Sequence, residues 1–150
     1  MVCLGNICRS PLAHGILQRL ALENGLDWEV RSAGTGNWHV GEPPDRRAIA
    51  VAKNFGTDIK NQRAAHFTTT MFDDFDLIFA MDKSNLRNVL GLARNDRERA
   101  KVRLFLGENE VPDPYFDEKM FTPVCEMIEE RCREIMFEII NETKAVEAGS

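Results

Sequence analysis

Cysteine is scarce in this sequence, and long hydrophobic runs are missing from it. Four cysteines in 150 residues are too few for the disulfide framework of a small secreted protein. No window approaches the roughly 18 consecutive apolar residues of a membrane span. Only Met1 and Val2 precede the first cysteine, so no secretory signal is predicted. We therefore expect a cytoplasmic protein that has reduced thiols and no membrane partner.

A surplus of positive charge is also missing. The formal net charge is -5 at pH 7, whereas binding to the phosphates of nucleic acids needs a cationic surface. We therefore expect no nucleic-acid partner. Cys3 and Cys8 have no second cysteine pair nearby, which disfavours a zinc site, and we expect no metal and no other cofactor.

Helical and extended segments alternate along the chain, without a linker or an internal repeat. This order predicts one α/β domain with a mainly parallel sheet. Ser10 and Pro11 are typical of an N-cap and a first helical position, and Asp45 and Asp82 are expected to begin two more helices. Strands are predicted at residues 28–32, 75–81 and 102–106.

The second half of the chain is predicted to contain a loop followed by a long helix. Pro112, Asp113 and Pro114 interrupt regular structure and indicate the loop. The helix is expected from Thr122 to about residue 141. Its predicted inner face consists of Phe121, Val124, Cys125, Ile128, Cys132, Ile135, Met136 and Ile139.

The stretch CLGNICRSP, residues 3–11, precedes the first predicted helix. A short loop at a helix N-terminus directs backbone N–H groups at an anion, and the helix adds about half a positive charge. Gly5 and Asn6 tolerate the left-handed backbone that a tight curl needs. The fork of Arg9 suits phosphate oxygens, and the same field stabilises a thiolate at Cys3. The pattern predicts a phosphate-binding loop that contains its own nucleophile.

This stretch resembles the signature of the low-molecular-weight protein tyrosine phosphatases, and the resemblance extends over essentially the whole chain. Similar segments follow in family order at residues 31–35, 38–41, 45–48, 80–86 and 113–115. The resemblance implies a single three-layer α/β domain over residues 1–150, with a central four-stranded parallel sheet flanked by helices on both faces. It also implies hydrolysis of phosphotyrosine in proteins, and of small aryl phosphates, with inorganic phosphate as a product.

The resemblance further implies a two-step reaction through a phosphocysteine. Cys3 is then the nucleophile, Arg9 and the loop amides bind phosphate, and Asp113 is the general acid and later the general base. An acid is useful because the expelled phenolate has a conjugate acid with a pKa of about 10. The other residues of the phosphate-binding loop are Leu4, Gly5, Asn6, Ile7, Cys8 and Ser10.

The same resemblance assigns residues around the loop. Trp38 and Tyr115 correspond to the aromatic walls of the substrate slot, and Tyr115 is the only tyrosine in the chain. Ser32 corresponds to a serine that bonds the loop asparagine. Either Gln62 or His66 is expected to be a second support of the loop.

The position of Cys8 suggests a redox role. Cys8 is expected beside Cys3, where a reversible disulfide would protect the nucleophile from further oxidation.

The first strand is expected to be short. Few residues precede Cys3, whereas a parallel strand usually has about five. Because relatives have a longer first strand, we expect this strand to be truncated at its N-terminal end and the fold to be less stable than an extended form.

Two other functions are left open by the sequence. A thioredoxin-coupled arsenate reductase would use a second cysteine pair, and Cys125 and Cys132 lie on one face of the last predicted helix. A non-catalytic phosphotyrosine reader or redox sensor would keep the loop but would usually lose the nucleophile or the acid. Both groups are present here, as Cys3 and Asp113.

Overall fold

Four short strands form the sheet in a computed structural model, which describes residues 1–149. They are β1 (Val2–Cys3), β2 (Ala33–Gly34), β3 (Ile78–Ala80) and β4 (Val102–Leu104). Their order across the sheet is β2-β1-β3-β4, and each neighbouring pair is parallel. The predicted four-stranded parallel sheet is therefore confirmed. β1 lies inside the sheet, and its carboxyl end leads directly into the predicted phosphate-binding loop.

Helices cover both faces of the sheet. Because successive side chains of a strand point to opposite faces, Cys3 packs in one core cluster and Val2 in another. Within residues 1–149 the helices are α1 (Arg9–Glu23), α2 (Arg46–Asn54), α3 (Met71–Asp74), α4 (Lys83–Leu92), α5 (Asp96–Ala100) and α6 (Phe121–Gly149), with a 3-10 turn at Glu118–Met120. The first cluster includes side chains of α1, α2 and α6, and the second includes side chains of α3 and α4.

Two of the predicted helix starts are confirmed by their capping bonds. The Asp45 carboxylate accepts a hydrogen bond from the backbone N–H of Arg47 at the start of α2, at 2.8 Å. Asp82 does the same for Asn85 at the start of α4, also at 2.8 Å. None of the helices within residues 1–149 combines the length and the apolarity that crossing a membrane requires.

The start of α1 differs from the prediction. The helix begins at Arg9 with Cys8 at the N-cap position, and no side chain caps it. Ser10 is therefore not an N-cap. Its hydroxyl group lies 2.9 Å from the Cys3 sulfur instead, so a local propensity has been overridden by a contact inside the loop.

The strand predicted at residues 28–32 is also wrong, because the strand in this part of the chain, β2, covers only Ala33–Gly34. The side chain of Gln18 on α1 occupies the backbone there: its amide nitrogen donates to the Trp28 carbonyl at 2.9 Å, and its oxygen accepts from Val30 N–H at 3.0 Å. Nearer to β2, the Arg31 carbonyl accepts from the Met1 amine and Ala33 N–H donates to the Met1 carbonyl, both at 3.0 Å. Residues 31 and 33 thus pair with the start of the chain, whereas Trp28 and Val30 are bound by a helix side chain. The last helix keeps the predicted inner face but begins at Phe121 and continues to Gly149.

Candidate active site

The segment between β1 and α1 curls around the sulfur of Cys3. The backbone N–H of Asn6 donates a hydrogen bond to Cys3 Sγ at 3.3 Å. The curl is possible because Asn6 has a left-handed backbone, with φ of 56°. Gly5 does not have a positive φ. Of the two residues predicted to tolerate the left-handed region, only Asn6 adopts it. Gly5 instead leaves room for the ring of His39, since a Cβ at this position would lie 3.1 Å from His39 Cδ2.

Several donors in the curl have no protein partner. The backbone N–H groups of Gly5, Ile7 and Cys8 donate no hydrogen bond to any acceptor within residues 1–149. The first turn of α1 adds further N–H groups without intrahelical acceptors, because the first four amides of any helix lack them. A cluster of free N–H groups beside a helix N-terminus is a suitable environment for an anion.

A chain of three hydrogen bonds ends at the Cys3 sulfur. Ala65 N–H donates to Asn6 Oδ1 at 2.9 Å, and Asn6 Nδ2 donates to Ser10 Oγ at 2.8 Å. Because Ser10 Oγ accepts from Asn6, its own hydrogen is free to point at Cys3 Sγ, 2.9 Å away. Donation to sulfur favours the thiolate over the thiol.

The next strand holds the curl closely from outside. Thr35 N–H donates to the Cys3 carbonyl and Gly36 N–H to the Leu4 carbonyl, both at 2.9 Å. This approach needs glycine at position 34, because a Cβ there would lie 2.8 Å from the Leu4 oxygen. The residues that follow β2 therefore fix the loop by backbone contacts.

The guanidinium group of Arg9 is buried, and the residue is only 4% exposed. Its Nη1 donates to Asp82 Oδ2 at 2.8 Å and to the Val111 carbonyl at 3.0 Å. Burial opposes the charge of Arg9, but the nearby Cys3, Asp82 and Asp113 outweigh burial and raise its pKa. Arg9 is thus a permanently positive group oriented by fixed acceptors.

Asp113 approaches the other terminal nitrogen of Arg9, Nη2, which Asp82 does not bind. Its Oδ2 is 3.8 Å from Arg9 Nη2, and its Oδ1 accepts a hydrogen bond from Tyr115 N–H at 3.1 Å. The Asp113 side chain is 41% exposed and is in contact with solvent. The predicted loop at residues 112–114 is confirmed.

Cys3, Arg9 and Asp113 line one cavity of about 210 Å³. Cys3 and Arg9 are buried there, whereas Asp113 is exposed. Trp38 and Tyr115 are at its opening and are 66% and 41% exposed. The complete lining consists of Cys3, Leu4, Gly5, Ile7, Cys8, Arg9, Trp38, His39, Asp113, Tyr115 and Phe116. A buried cation, free amides and a thiol thus face one opening that is bordered by aromatic rings.

Comparison with known proteins agrees with this geometry. Residues 1–146 match the family model described as low molecular weight phosphotyrosine protein phosphatase. The chain belongs to this family. It is 34% identical to the low molecular weight protein-tyrosine-phosphatase YfkJ of Bacillus subtilis, with 94% of each chain covered. It is 44% identical to the low molecular weight phosphotyrosine protein phosphatase of Schizosaccharomyces pombe, with 77% of this chain and 78% of the relative covered.

Solved structures show the same fold. The crystal structure of the protein tyrosine phosphatase of Entamoeba histolytica with Hepes in the active site superposes with a TM-score of 0.89 at 30% identity, covering 95% of this chain and 96% of the other. This phosphatase fold places the loop, Arg9 and Asp113 at the carboxyl ends of the strands, where ligands bind in open α/β sheets.

The predicted supports of the loop were partly wrong. The Ser32 hydroxyl does not bond Asn6 and instead lies 3.1 Å from His14 Nδ1. Gln62 Nε2 donates to the Pro11 carbonyl at 3.1 Å, and His66 Nε2 lies 3.2 Å from the Thr35 carbonyl. Gln62 thus contacts the first turn of α1 and His66 contacts the residue after β2, and neither side chain bonds Asn6. The long-range partner of Asn6 is a backbone group, which no sequence motif records.

Three residues at the site escaped sequence reasoning. Asp82 was predicted only as a helix cap, yet it also binds Arg9. Its position directly after a buried strand next to β1 is a signal that could have indicated this role. His39 and Phe116 line the cavity without having been assigned to it. His39 Nδ1 lies 2.6 Å from Glu42 Oε2, so this contact orients the imidazole ring.

Burial holds the other three cysteines of this family member as neutral thiols. Burial, and then the charge of Asp45, raise the pKa of the Cys8 thiol above its usual range. Burial raises the pKa of Cys125 to about 12 and also raises that of Cys132. Cys125 and Cys132 are fully buried in the core face of α6. They do not lie at the cavity that contains Cys3, as an electron relay would require.

Proposed function

We propose that this protein hydrolyses phosphotyrosine in other proteins, and small aryl phosphates, through a phosphocysteine intermediate on Cys3. The observation that supports this most strongly is the hydrogen-bond chain that ends at Cys3 Sγ inside a ring of free amides. Donors directed at one sulfur stabilise a thiolate, and donors around it also stabilise the phosphoryl group in the transition state of its transfer.

In the first step, the Cys3 thiolate attacks phosphorus while the bond from phosphorus to the tyrosine oxygen breaks. Arg9 and the backbone amides of residues 4–10 hold the three equatorial oxygens. Asp113, protonated at this stage, transfers its proton to the leaving oxygen, so that a neutral tyrosine side chain departs. The products of this step are phosphocysteine and the Asp113 carboxylate.

In the second step, water attacks the phosphorus of the phosphocysteine. The Asp113 carboxylate takes a proton from this water, and the Cys3 thiolate leaves. Inorganic phosphate is released, and both Cys3 and Asp113 return to their starting states. Charge on the phosphoryl oxygens is balanced by Arg9 and the amides throughout, so the reaction has no step that needs a metal ion.

The opening suits an aromatic phosphate. Trp38 and Tyr115 flank the cavity above Cys3 and offer flat apolar faces to a phenyl ring. We propose a phosphotyrosine side chain of a protein as the substrate for this slot.

The first experiment is release of inorganic phosphate from a phosphotyrosine peptide, measured with and without EDTA. We expect turnover that is unaffected by EDTA and is lost in Cys3→Ser, because a serine hydroxyl is a far poorer nucleophile at neutral pH. Cys125→Ser, which changes a thiol outside the site, is the matched control. Full turnover by Cys3→Ser would contradict the assignment of the nucleophile.

The acid is tested by varying the leaving group. Asp113→Ala should lower kcat/KM for phenyl phosphate by roughly a hundredfold or more. The loss should be much smaller for p-nitrophenyl phosphate, whose leaving group needs no proton. Asp117→Ala, which removes a carboxylate four residues along the same segment, is the control. Equal losses on the two substrates would show that Asp113 is not the acid.

The neighbouring thiol suggests redox protection. Cys8 lines the same cavity as Cys3, and both are free thiols. Peroxide would convert the Cys3 thiolate to a sulfenic acid, and attack by the Cys8 thiol would then form the disulfide and release water. This chemistry requires a reducing compartment for recovery, and we propose the cytoplasm. If Cys8→Ser suffers no more irreversible inactivation by mild peroxide than the unmodified protein, the protective role is wrong.

A further inference from the structure

The start of α2 is tied to the phosphate-binding loop. Asp45 N–H donates to the Ile7 carbonyl at 2.8 Å. The Asp45 carboxylate then holds the side chain of Arg47 with both oxygens, since Arg47 Nε donates to Oδ1 and Arg47 Nη2 donates to Oδ2, each at 3.0 Å. A bidentate pair of this kind fixes the plane as well as the position of the guanidinium group.

That guanidinium group lies against two aromatic rings. The central carbon of Arg47 is 4.7 Å from the ring centroid of Phe121 and 5.4 Å from that of Tyr115. Both distances are within the range of a cation–π contact. Phe121 is buried at the first residue of α6, so Arg47 bridges a fixed part of the core to the loop that contains Tyr115.

The loop at residues 112–117 has few other attachments. Each hydrogen bond that its residues form lies within residues 113–120, as in Tyr115 N–H to Asp113 Oδ1 and Asp117 N–H to the Pro114 carbonyl. Val111 N–H, which donates to the Met81 carbonyl at 2.8 Å, is the anchor just before the loop. Beyond it, the polar contacts with the rest of the described chain are the 3.8 Å approach of Arg9 to Asp113 and the stacking of Arg47 on Tyr115.

We propose that Arg47 is a positioning residue for the general acid. By holding the ring of Tyr115, it fixes the short segment in which Tyr115 N–H binds the Asp113 carboxylate, and so presents Asp113 to the leaving oxygen. Asp45 links this clamp to the phosphate-binding loop, so the acid and the nucleophile are placed by one network. The inference rests on the proposed role of Asp113.

The clamp predicts a distinctive kinetic defect. Arg47→Met keeps a long side chain over Phe121 but removes the fork and the charge. We expect kcat/KM for phenyl phosphate to fall roughly tenfold more than kcat/KM for p-nitrophenyl phosphate, because only the first substrate depends on a well-placed proton donor. Arg47→Lys, which restores the charge without the plane, should recover part of the loss.

Arg46→Met is the matched control, since it removes the same charge from the preceding, exposed residue of α2. It should affect both substrates alike and only slightly. An Arg47→Met defect of equal size on both substrates, alongside an Asp113→Ala defect that depends on the leaving group, would overturn the clamp while leaving the acid assignment intact. Equal losses for Asp113→Ala would instead overturn the proposed function.

A readout independent of activity comes from the single tyrosine. Incorporation of 3-fluorotyrosine labels only Tyr115, so the fluorine NMR spectrum reports this ring alone. In Arg47→Met the resonance should move towards the position of free 3-fluorotyrosine and become narrower, whereas in Arg46→Met it should stay unchanged. If Arg47→Met folds poorly, Asp45→Asn, which keeps a capping oxygen but weakens the fork, should shift the resonance in the same direction. A resonance that neither Arg47→Met nor Asp45→Asn moves would overturn the proposal.

Discussion

At the residue scale, the loop works because each polar atom has one assigned direction. Asn6 uses its oxygen to accept from Ala65 and its nitrogen to donate to Ser10. Ser10 therefore has a hydrogen to offer to Cys3 rather than a lone pair. The left-handed backbone of Asn6 at the same time aims its N–H at the sulfur. Two neutral side chains thus prepare the sulfur for negative charge.

The Ser10 hydroxyl should matter to the reaction as much as a hydrogen bond to a charged group usually does. Such a bond contributes about 1.5–3 kcal/mol, so Ser10→Ala should lower kcat/KM by roughly ten- to a hundredfold. Ser32→Ala is the control, because Ser32 bonds His14 and not the loop. Steady-state kinetics with p-nitrophenyl phosphate measures both variants. A larger loss in Ser32→Ala than in Ser10→Ala would contradict this account and favour the expectation from the family resemblance, in which Ser32 bonds Asn6.

Sequence predicted those site residues whose roles are local. Cys3, Asn6 and Arg9 lie within one curl, so their spacing and backbone preferences were sufficient to indicate an anion site. The long-range partners could not be found this way, since Ala65 contributes only a backbone N–H and Asp82 already had an explanation as a helix cap. The error at Ser32 has the same origin, because a hydroxyl can turn to whichever partner packing brings near.

At the scale of elements, helix ends were predicted better than strands. Asp45 and Asp82 cap α2 and α4 through bonds that span two or three residues, and such short-range signals can be read from sequence. The segment at residues 28–32 has the alternation of a strand, but Gln18 from α1 binds the Trp28 carbonyl and Val30 N–H, and the Arg31 carbonyl accepts from the Met1 amine. Which backbone groups pair therefore depends on how distant segments pack, and this is a property of the fold.

The last helix permits a direct test of the arsenate reductase alternative. Cys125 and Cys132 are fully buried on α6, and burial raises the pKa of both thiols. We therefore expect iodoacetamide to leave both unmodified in the native protein at neutral pH and to modify them after unfolding in guanidinium chloride. Mass spectrometry of the alkylated peptides distinguishes the two cases. Rapid native modification, or thioredoxin-coupled reduction of arsenate that needs this pair, would favour the reductase.

At the scale of the whole molecule, the parallel sheet brings distant segments to one edge. β1 leads into the loop of Cys3, β3 leads into Asp82, and the segment after β4 reaches Asp113. The carboxyl ends of parallel strands meet on one side of the sheet, so Cys3 and Asp113, the proposed nucleophile and acid, lie in one cavity although more than 100 positions separate them. The residue pattern predicted a mainly parallel sheet and the loop of Cys3, whereas the pairing of that loop with Asp113 came from the family resemblance.

The packing of α1 against this sheet should make stability depend on pH. Burial, with help from the positive charges of the Met1 amine and of Arg31, lowers the pKa of His14 from its ordinary 6.5 to about 4. Between these values the unfolded chain binds a proton that the folded protein does not bind, so stability falls as the pH falls below 6.5. From pH 7 to pH 5 this contributes a loss of about 2 kcal/mol to the free energy of unfolding.

Urea denaturation of the unmodified protein and of His14→Gln at pH 5, 6 and 7 tests this expectation. The free energy of unfolding of His14→Gln should change less over this range, whatever its absolute stability. Parallel profiles for the two proteins would show that His14 does not cause the pH dependence.

Formation of phosphocysteine on Cys3 is the central claim, and trapping it is the most direct test. Asp113→Ala is the protein of choice, because loss of the general base slows breakdown of the intermediate while p-nitrophenyl phosphate still reacts in the first step. After a rapid denaturing quench, intact mass and peptide mapping should show one added phosphoryl group on Cys3, retained when Cys8→Ser is introduced. Turnover without any phosphorylated enzyme, or a phosphoryl group on another residue, would contradict the account.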